Sequence, residues 1–121
     1  MPVVTKEVAP ELEGGPVLVT VEYLVAAQWR AEFVQAIHRY ERIRRRDGAS
    51  SWGIFHDTEV AERYLEIFLV DSWAEHLRQH ERQIQADRKL EQLLRSYVVH
   101  EPSVRHLVYA TNGDGADPGI L

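Results

Sequence analysis

The sequence predicts a single α+β domain with elements in the order β-α-β-β-α-β. Three observations carry this. A chain of 121 residues is long enough for one core and short for two. Four stretches are rich in β-branched and aromatic residues, and between them the apolar period twice switches to that of a helix. The two middle strands follow one another across a polar link of hairpin length, whereas each outer strand is reached through a helix.

The first strand is Pro16-Val17-Leu18-Val19-Thr20-Val21-Glu22-Tyr23-Leu24-Val25, apolar on both faces. Glu22 and Thr20 share the face of Leu18 and Leu24, which places an acid inside an apolar strand. From Ala27 to Arg46, residues Trp29, Phe33, Ala36, Ile37, Tyr40 and Ile43 recur at helical spacing and predict one amphipathic helix. His38 lies off that stripe and is expected in solvent. Arg42, Arg44, Arg45 and Arg46 crowd the last turn, where cations suit the negative end of the helix dipole; that reading is preferred to an anion site. Asp47-Gly48 supplies the stop.

Ser51 to Asp57 predicts a second strand, with Trp52, Ile54 and His56 on one face and Gly53 and Phe55 on the other. After the 57–62 connection, Arg63 to Val70 predicts a third strand, apolar on both faces except for Glu66 between Tyr64 and Phe68. Ser72 and Glu75 have capping-box spacing and open a second helix. Trp73, Leu77, His80 and Ile84 fall within one arc of it, with His76 on the shoulder. The pattern continues through Asp87, Leu90, Leu93 and Leu94 to about Tyr97, with a break near Gln85. Ser103 to Ala110, just past Pro102, predicts the last strand. Residues 1–15 read as a flexible leader, 16–110 as the domain and 111–121 as a flexible tail.

Right-handed crossovers place these strands in the antiparallel order 4-1-3-2 with both helices on one face, a ferredoxin-like arrangement. The sheet's other face is then left open, yet its strands are apolar there too. A homodimer through that face is the expected solution.

Composition excludes several functions. The formal charge of −5, with no basic face carrying interleaved aromatics, argues against nucleic acid. No cysteine is present for disulfides, thiolate metal sites or thiol catalysis. No apolar run approaches the ~20 residues of a membrane span, and no signal peptide opens the sequence, so a cytoplasmic chain without membrane insertion is expected. No phosphate-binding glycine loop or serine nucleophile elbow occurs.

The residues left to carry chemistry are His56, His76, His80, His106, Glu22, Glu66 and the aromatics Trp52, Tyr64 and Trp73. His76 and His80 have the i,i+4 spacing of a metal pair. The glutamate of the zinc-protease motif is missing, however, and one histidine alone lies in the stripe, so no metal is expected. His80 is then either a core imidazole bonded to a carbonyl or carboxylate, or a group in a ligand cavity. Glu22 and Glu66 lie on neighbouring strands. If they share a face, burial and like charge would raise a carboxylate toward neutral-pH acid–base work. Ion pairing with Arg63, Arg105 or a partner subunit is the alternative. Trp52, Tyr64 and Trp73 are core, or a stacking surface for flat ligands.

The order strand, helix, strand pair and Ser-Trp with a His-rich helix resembles the dimeric α+β barrel superfamily, which includes antibiotic-biosynthesis monooxygenases. More specifically, four stretches resemble the soluble C-terminal domain of major-facilitator "transmembrane secretion effector" transporters. They are Gly15-Pro16-Val17-Leu18-Val19-Thr20-Val21-Glu22-Tyr23, Arg44-Arg45-Arg46-Asp47-Gly48-Ala49, Trp52-Gly53-Ile54-Phe55 and Ser72-Trp73-Ala74-Glu75-His76-Leu77-Arg78-Gln79-His80-Glu81-Arg82. The likeness spans about residues 15–108. The transporters' membrane helices have no counterpart in the sequence, so a freestanding relative or an excised domain is expected.

The resemblance implies a pocket between sheet and helices for a small aromatic or polycyclic ligand, lined by Trp52, His56, Tyr64, Trp73 and His76. It implies a cofactor-independent enzyme of bacterial specialised metabolism, an oxygenase on an activated phenol or a cyclase or isomerase. His80, Glu66 and Glu22 would be its acid–base residues, and haem-degrading relatives make His80 a conceivable haem ligand. The alternative is a non-catalytic, ligand-sensing module of an exporter.

Overall fold

The structure, a computed structural model, describes residues 15–74 and 85–110. The elements are β1 (Val17–Leu24), a 3₁₀ turn (Ala27–Trp29), α1 (Arg30–Ile37), α2 (Tyr40–Arg46), β2 (Ala49–His56), β3 (Arg63–Val70), α3 (Gln85–Tyr97) and β4 (Ser103–Val108). They form one antiparallel four-stranded sheet in the order β2-β3-β1-β4, which is the expected 4-1-3-2 read from the opposite edge. Residues 1–14 and 111–121, which hold most of the expected leader and tail, lie outside the described residues.

Strand alternation sorts the two faces. On β1, Val17, Val19, Val21 and Tyr23 are buried, and across the ladder they meet Val70, Phe68, Glu66 and Tyr64, buried too. Phe33 and Ile37 of α1, Tyr40 of α2 and Leu90 and Leu94 of α3 close over this face to form the core. Phe33 packs between Tyr23 and Tyr64, with both ring centroids at 5.2 Å. The opposite face carries Leu18, Thr20, Leu65, Ile67, Leu69, Phe55 and Leu107. Phe55 is 57% exposed and Leu107 48%.

One expectation is corrected. The helix foreseen from Ala27 to Arg46 is a 3₁₀ turn followed by two short helices. At the joint, Arg39 N–H bonds Ala36 O and Glu41 N–H bonds His38 O, three-residue steps that tighten the backbone. The bend lets α1 pack on α3 while α2 packs on β2. Gly48, at φ 107°, ends α2 in a conformation that favours glycine, as Asp47-Gly48 foretold. β2 begins at Ala49, two residues early, with a register shift between Ala49 and Ser51. Trp73 and Ala74 start the second helix as expected. The capping partner Glu75 and most of the His-bearing stretch lie outside the described residues.

Candidate ligand cavity

The site is built around Glu66, which β3 aims at the helices from the middle of the sheet. Its side chain is fully buried. Tyr23 donates its hydroxyl to Oε1 at 2.9 Å, and Trp52 donates Nε1–H to Oε2 at 2.8 Å. Arg44 adds a fork, Nε to Oε2 at 2.8 Å and Nη2 to Oε1 at 3.1 Å. Four donors from three elements thus fill the acceptor sites of one carboxylate. The guanidinium also lies over the rings of Tyr40 (4.4 Å) and Phe68 (4.6 Å).

The electrostatics follow from this packing. Burial alone pushes the Arg44 guanidinium down, but the Glu66 charge and hydrogen bonds outweigh it and hold the group above its ordinary value. Burial first, and then Glu66, hold the Tyr23 phenol well above its usual range. Burial likewise pushes Tyr40 up to about 12.

Above this cluster a cavity of about 390 Å³ opens between sheet and helices. Val21, Tyr23 and Val104 form its sheet wall; Tyr40, Ile43, Arg44 and Asp47 line the α2 side. Asp87, Glu91, Leu94 and Arg95 line the α3 side, and Glu101 and Pro102 the approach to β4. Asp87, Glu91, Leu94 and Arg95 recur at three- and four-residue steps, so one stripe of α3 faces the space. Tyr40 is 8% exposed.

The foreseen residues are dispersed. Glu66 lies behind Tyr23 and Arg44 and is engaged throughout. Glu22 and Glu66 do not form a pair: the register sets Val21 against Glu66 and Glu22 against Leu65, so the two carboxylates point to opposite faces. Glu22 sits 3.2 Å from Arg63 Nε, the ion pair named as its alternative.

Trp52 bonds Glu66 and meets the His38 ring edge-on at 5.4 Å. His56 stacks on Tyr64 at 4.2 Å, and its Nε2 is 2.8 Å from the Ala61 carbonyl, on the hairpin side. Trp73 meets His106 at 5.2 Å. None of Trp52, His56, Tyr64 or Trp73 lines the cavity. His76 and His80 lie outside the described residues, and among the described residues no three metal-ligating side chains cluster.

Sequence reasoning missed Tyr23, Tyr40 and Arg44. Arg44 belonged to the apolar stripe, one turn past Tyr40, and was masked by the cations around it. Its interior position corrects the reading of that run as wholly a dipole effect.

This architecture defines a ferredoxin-like α+β protein with a small-molecule-sized cavity beneath its helices. The model of the transmembrane secretion effector family matches residues 1–113, and the chain belongs to that family. No curated protein matches it.

Solved structures share the fold at low identity. A candidate antibiotic biosynthesis monooxygenase of Bordetella bronchiseptica matches with TM-score 0.68 and 17% identity, over 80% of this chain and 99% of the other. A candidate antibiotic biosynthesis monooxygenase of Caulobacter crescentus matches with TM-score 0.69 and 12% identity, over 81% and 92%. A third, from Nitrosomonas europaea, matches with TM-score 0.63 and 12% identity, over 84% and 95%. Among the described residues no helix is long and apolar enough to cross a membrane.

Proposed function

We propose that this chain is a small-molecule-binding domain, acting as a homodimer, whose ligand occupies the cavity between sheet and helices. The carrying observation is the cavity: about 390 Å³, with apolar walls from Val21, Leu94 and Val104 and polar groups from Tyr23, Tyr40 and Arg44. That size and mixture suit a compact aromatic or polycyclic compound. The dimer reading is supported by the open sheet face, where Leu18, Leu65, Ile67, Leu69, Phe55 and Leu107 form an apolar surface that a second copy would cover.

Binding is favoured over catalysis by the described residues, because Glu66 has its acceptor sites occupied and Glu22 faces away. A ligand-sensing module related to an exporter fits the family. A catalytic reading, oxygenation of an activated phenol or a cyclisation, draws on the names of the fold relatives and rests on His80 as the acid or base.

The test is a binding screen of naphthol- and anthraquinone-type compounds against wild type, Val104→Trp and His80→Leu. Val104 is half-exposed at the cavity wall, so an indole there should fill the space and abolish binding without unfolding the domain. Undiminished binding to Val104→Trp would reject the cavity. Turnover of a bound compound that His80→Leu cuts by about 10²–10⁴-fold would establish the catalytic reading.

A further inference from the structure

Arg44 has more donors than Glu66 uses. A guanidinium carries five N–H groups in one planar fork. Glu66 takes two of them, from the side edge formed by Nε at 2.8 Å and Nη2 at 3.1 Å. The end edge, Nη1 with the second N–H of Nη2, makes no hydrogen bond among the described residues.

That edge is not sealed in. Among the described residues, the side-chain nitrogens buried without a partner belong to Arg30 and Arg63, not to Arg44. The Arg44 side chain is 24% exposed, and it lines the cavity between sheet and helices rather than the neighbouring groove between α2 and the start of α3. Its plane is held by the Glu66 fork and by the rings of Tyr40 and Phe68, whose centroids lie 4.4 and 4.6 Å from its central carbon. A donor edge fixed in advance costs little to order when a ligand arrives.

The geometry points to the end edge of Arg44 as the polar anchor of the cavity, and to a neutral aromatic ketone, bound through its carbonyl oxygen, as the ligand class. This deepens the small-molecule reading and rests on it. A carbonyl oxygen has two lone pairs and can accept from Nη1 and Nη2 together. Glu66 already offsets the arginine's charge, so the edge supplies donors with little net charge behind them. A carboxylate ligand would set a second anion against the same guanidinium, with the buried Glu66 on its other edge and little water between to screen the repulsion. Val21, Leu94 and Val104 supply apolar wall for the rest of the ring system.

The test compares three probes of one shape by equilibrium dialysis at pH 7. They are 2-acetylnaphthalene, 2-isopropenylnaphthalene, in which a methylene replaces the oxygen, and 2-naphthoate. The ketone should bind about tenfold more tightly than the alkene, and more tightly than the carboxylate. The preference for ketone over alkene should fall to parity in the double variant Arg44→Leu, Glu66→Leu, which removes the edge without stranding a buried charge. Arg44→Lys keeps the charge but loses the planar fork, and should cut the preference several-fold. The wild-type comparison decides even where a variant fails to fold. Parity in wild type, preference for the carboxylate, or a preference unchanged in a folded variant would overturn the Arg44 inference and leave the cavity reading intact. Binding of none of the three would overturn both.

Discussion

Arg44 of α2 meets Glu66 of β3 in a fork, Nε to Oε2 at 2.8 Å and Nη2 to Oε1 at 3.1 Å, with the Glu66 side chain fully buried and the Arg44 side chain about a quarter exposed. The pair ties the second short helix to the middle of the sheet, 22 residues away in sequence. Its arginine lines the cavity, and its carboxylate accepts from Tyr23 and Trp52. Such a pair contributes geometry more than net stability, because desolvating both charges costs much of what their attraction returns.

Breaking the pair on one side should therefore be severe. Arg44→Leu leaves a buried carboxylate without its cation and should cost about 3–5 kcal/mol in chemical denaturation. The double variant Arg44→Leu, Glu66→Leu should be markedly more stable than Arg44→Leu alone. Equal destabilisation of the two would mean that burial of Glu66 does not depend on charge pairing.

Tyr23→Phe is the milder probe of the same cluster. It removes one of four donors to Glu66 while keeping the ring against Phe33, and should cost about 1–3 kcal/mol. A loss within error of zero would show that the remaining donors satisfy the carboxylate.

Tyr40 gives a pH signature. Its folded value is raised from 10.0 to about 12, so folding favours the neutral phenol. The stabilisation from this group is fully present below pH ~10, and it fades as pH rises through that value toward and past pH ~12. Tyrosinate absorbance should show Tyr40 ionising near pH 12, later than a free phenol. The high-pH loss of stability should be smaller in Tyr40→Phe, and identical alkaline profiles would contradict the assignment.

The open sheet face should hold a dimer. Leu65→Lys introduces a charge at a 36% exposed leucine beside Ile67 and Phe55, away from the core, and should yield a folded monomer by sedimentation velocity at micromolar concentration. A monomeric wild type under the same conditions would remove the dimer.

Legibility followed the range of the interaction concerned. β3 was readable to its end residues because its apolar run is nearly continuous and polar links bound it. The order 4-1-3-2 followed from connection rules alone. The bend at His38–Arg39 was not readable, because the apolar stripe continues across it and the tightening answers to packing on α3 and β2.

The site was less accessible. Glu66 was singled out correctly as an acid in an apolar strand, but its partner was hidden in a run of arginines that read as complementing the helix dipole. The relation of Glu22 to Glu66 depended on register, and a one-residue difference in parity separates a pair from two opposite faces. Tyr40 looked like any core aromatic. Only the placement of α3 shows that its side chain borders open space.

The most direct test of the account is a two-dimensional 1H–15N titration of the protein with 2-naphthol. Shifts should concentrate at Tyr40, Arg44, Glu91, Leu94 and Val104, and should vanish in Val104→Trp. Shifts confined to Phe55, Leu65 and Leu107 on the opposite face, or shifts unchanged in Val104→Trp, would contradict the claim that the space between sheet and helices is the binding site.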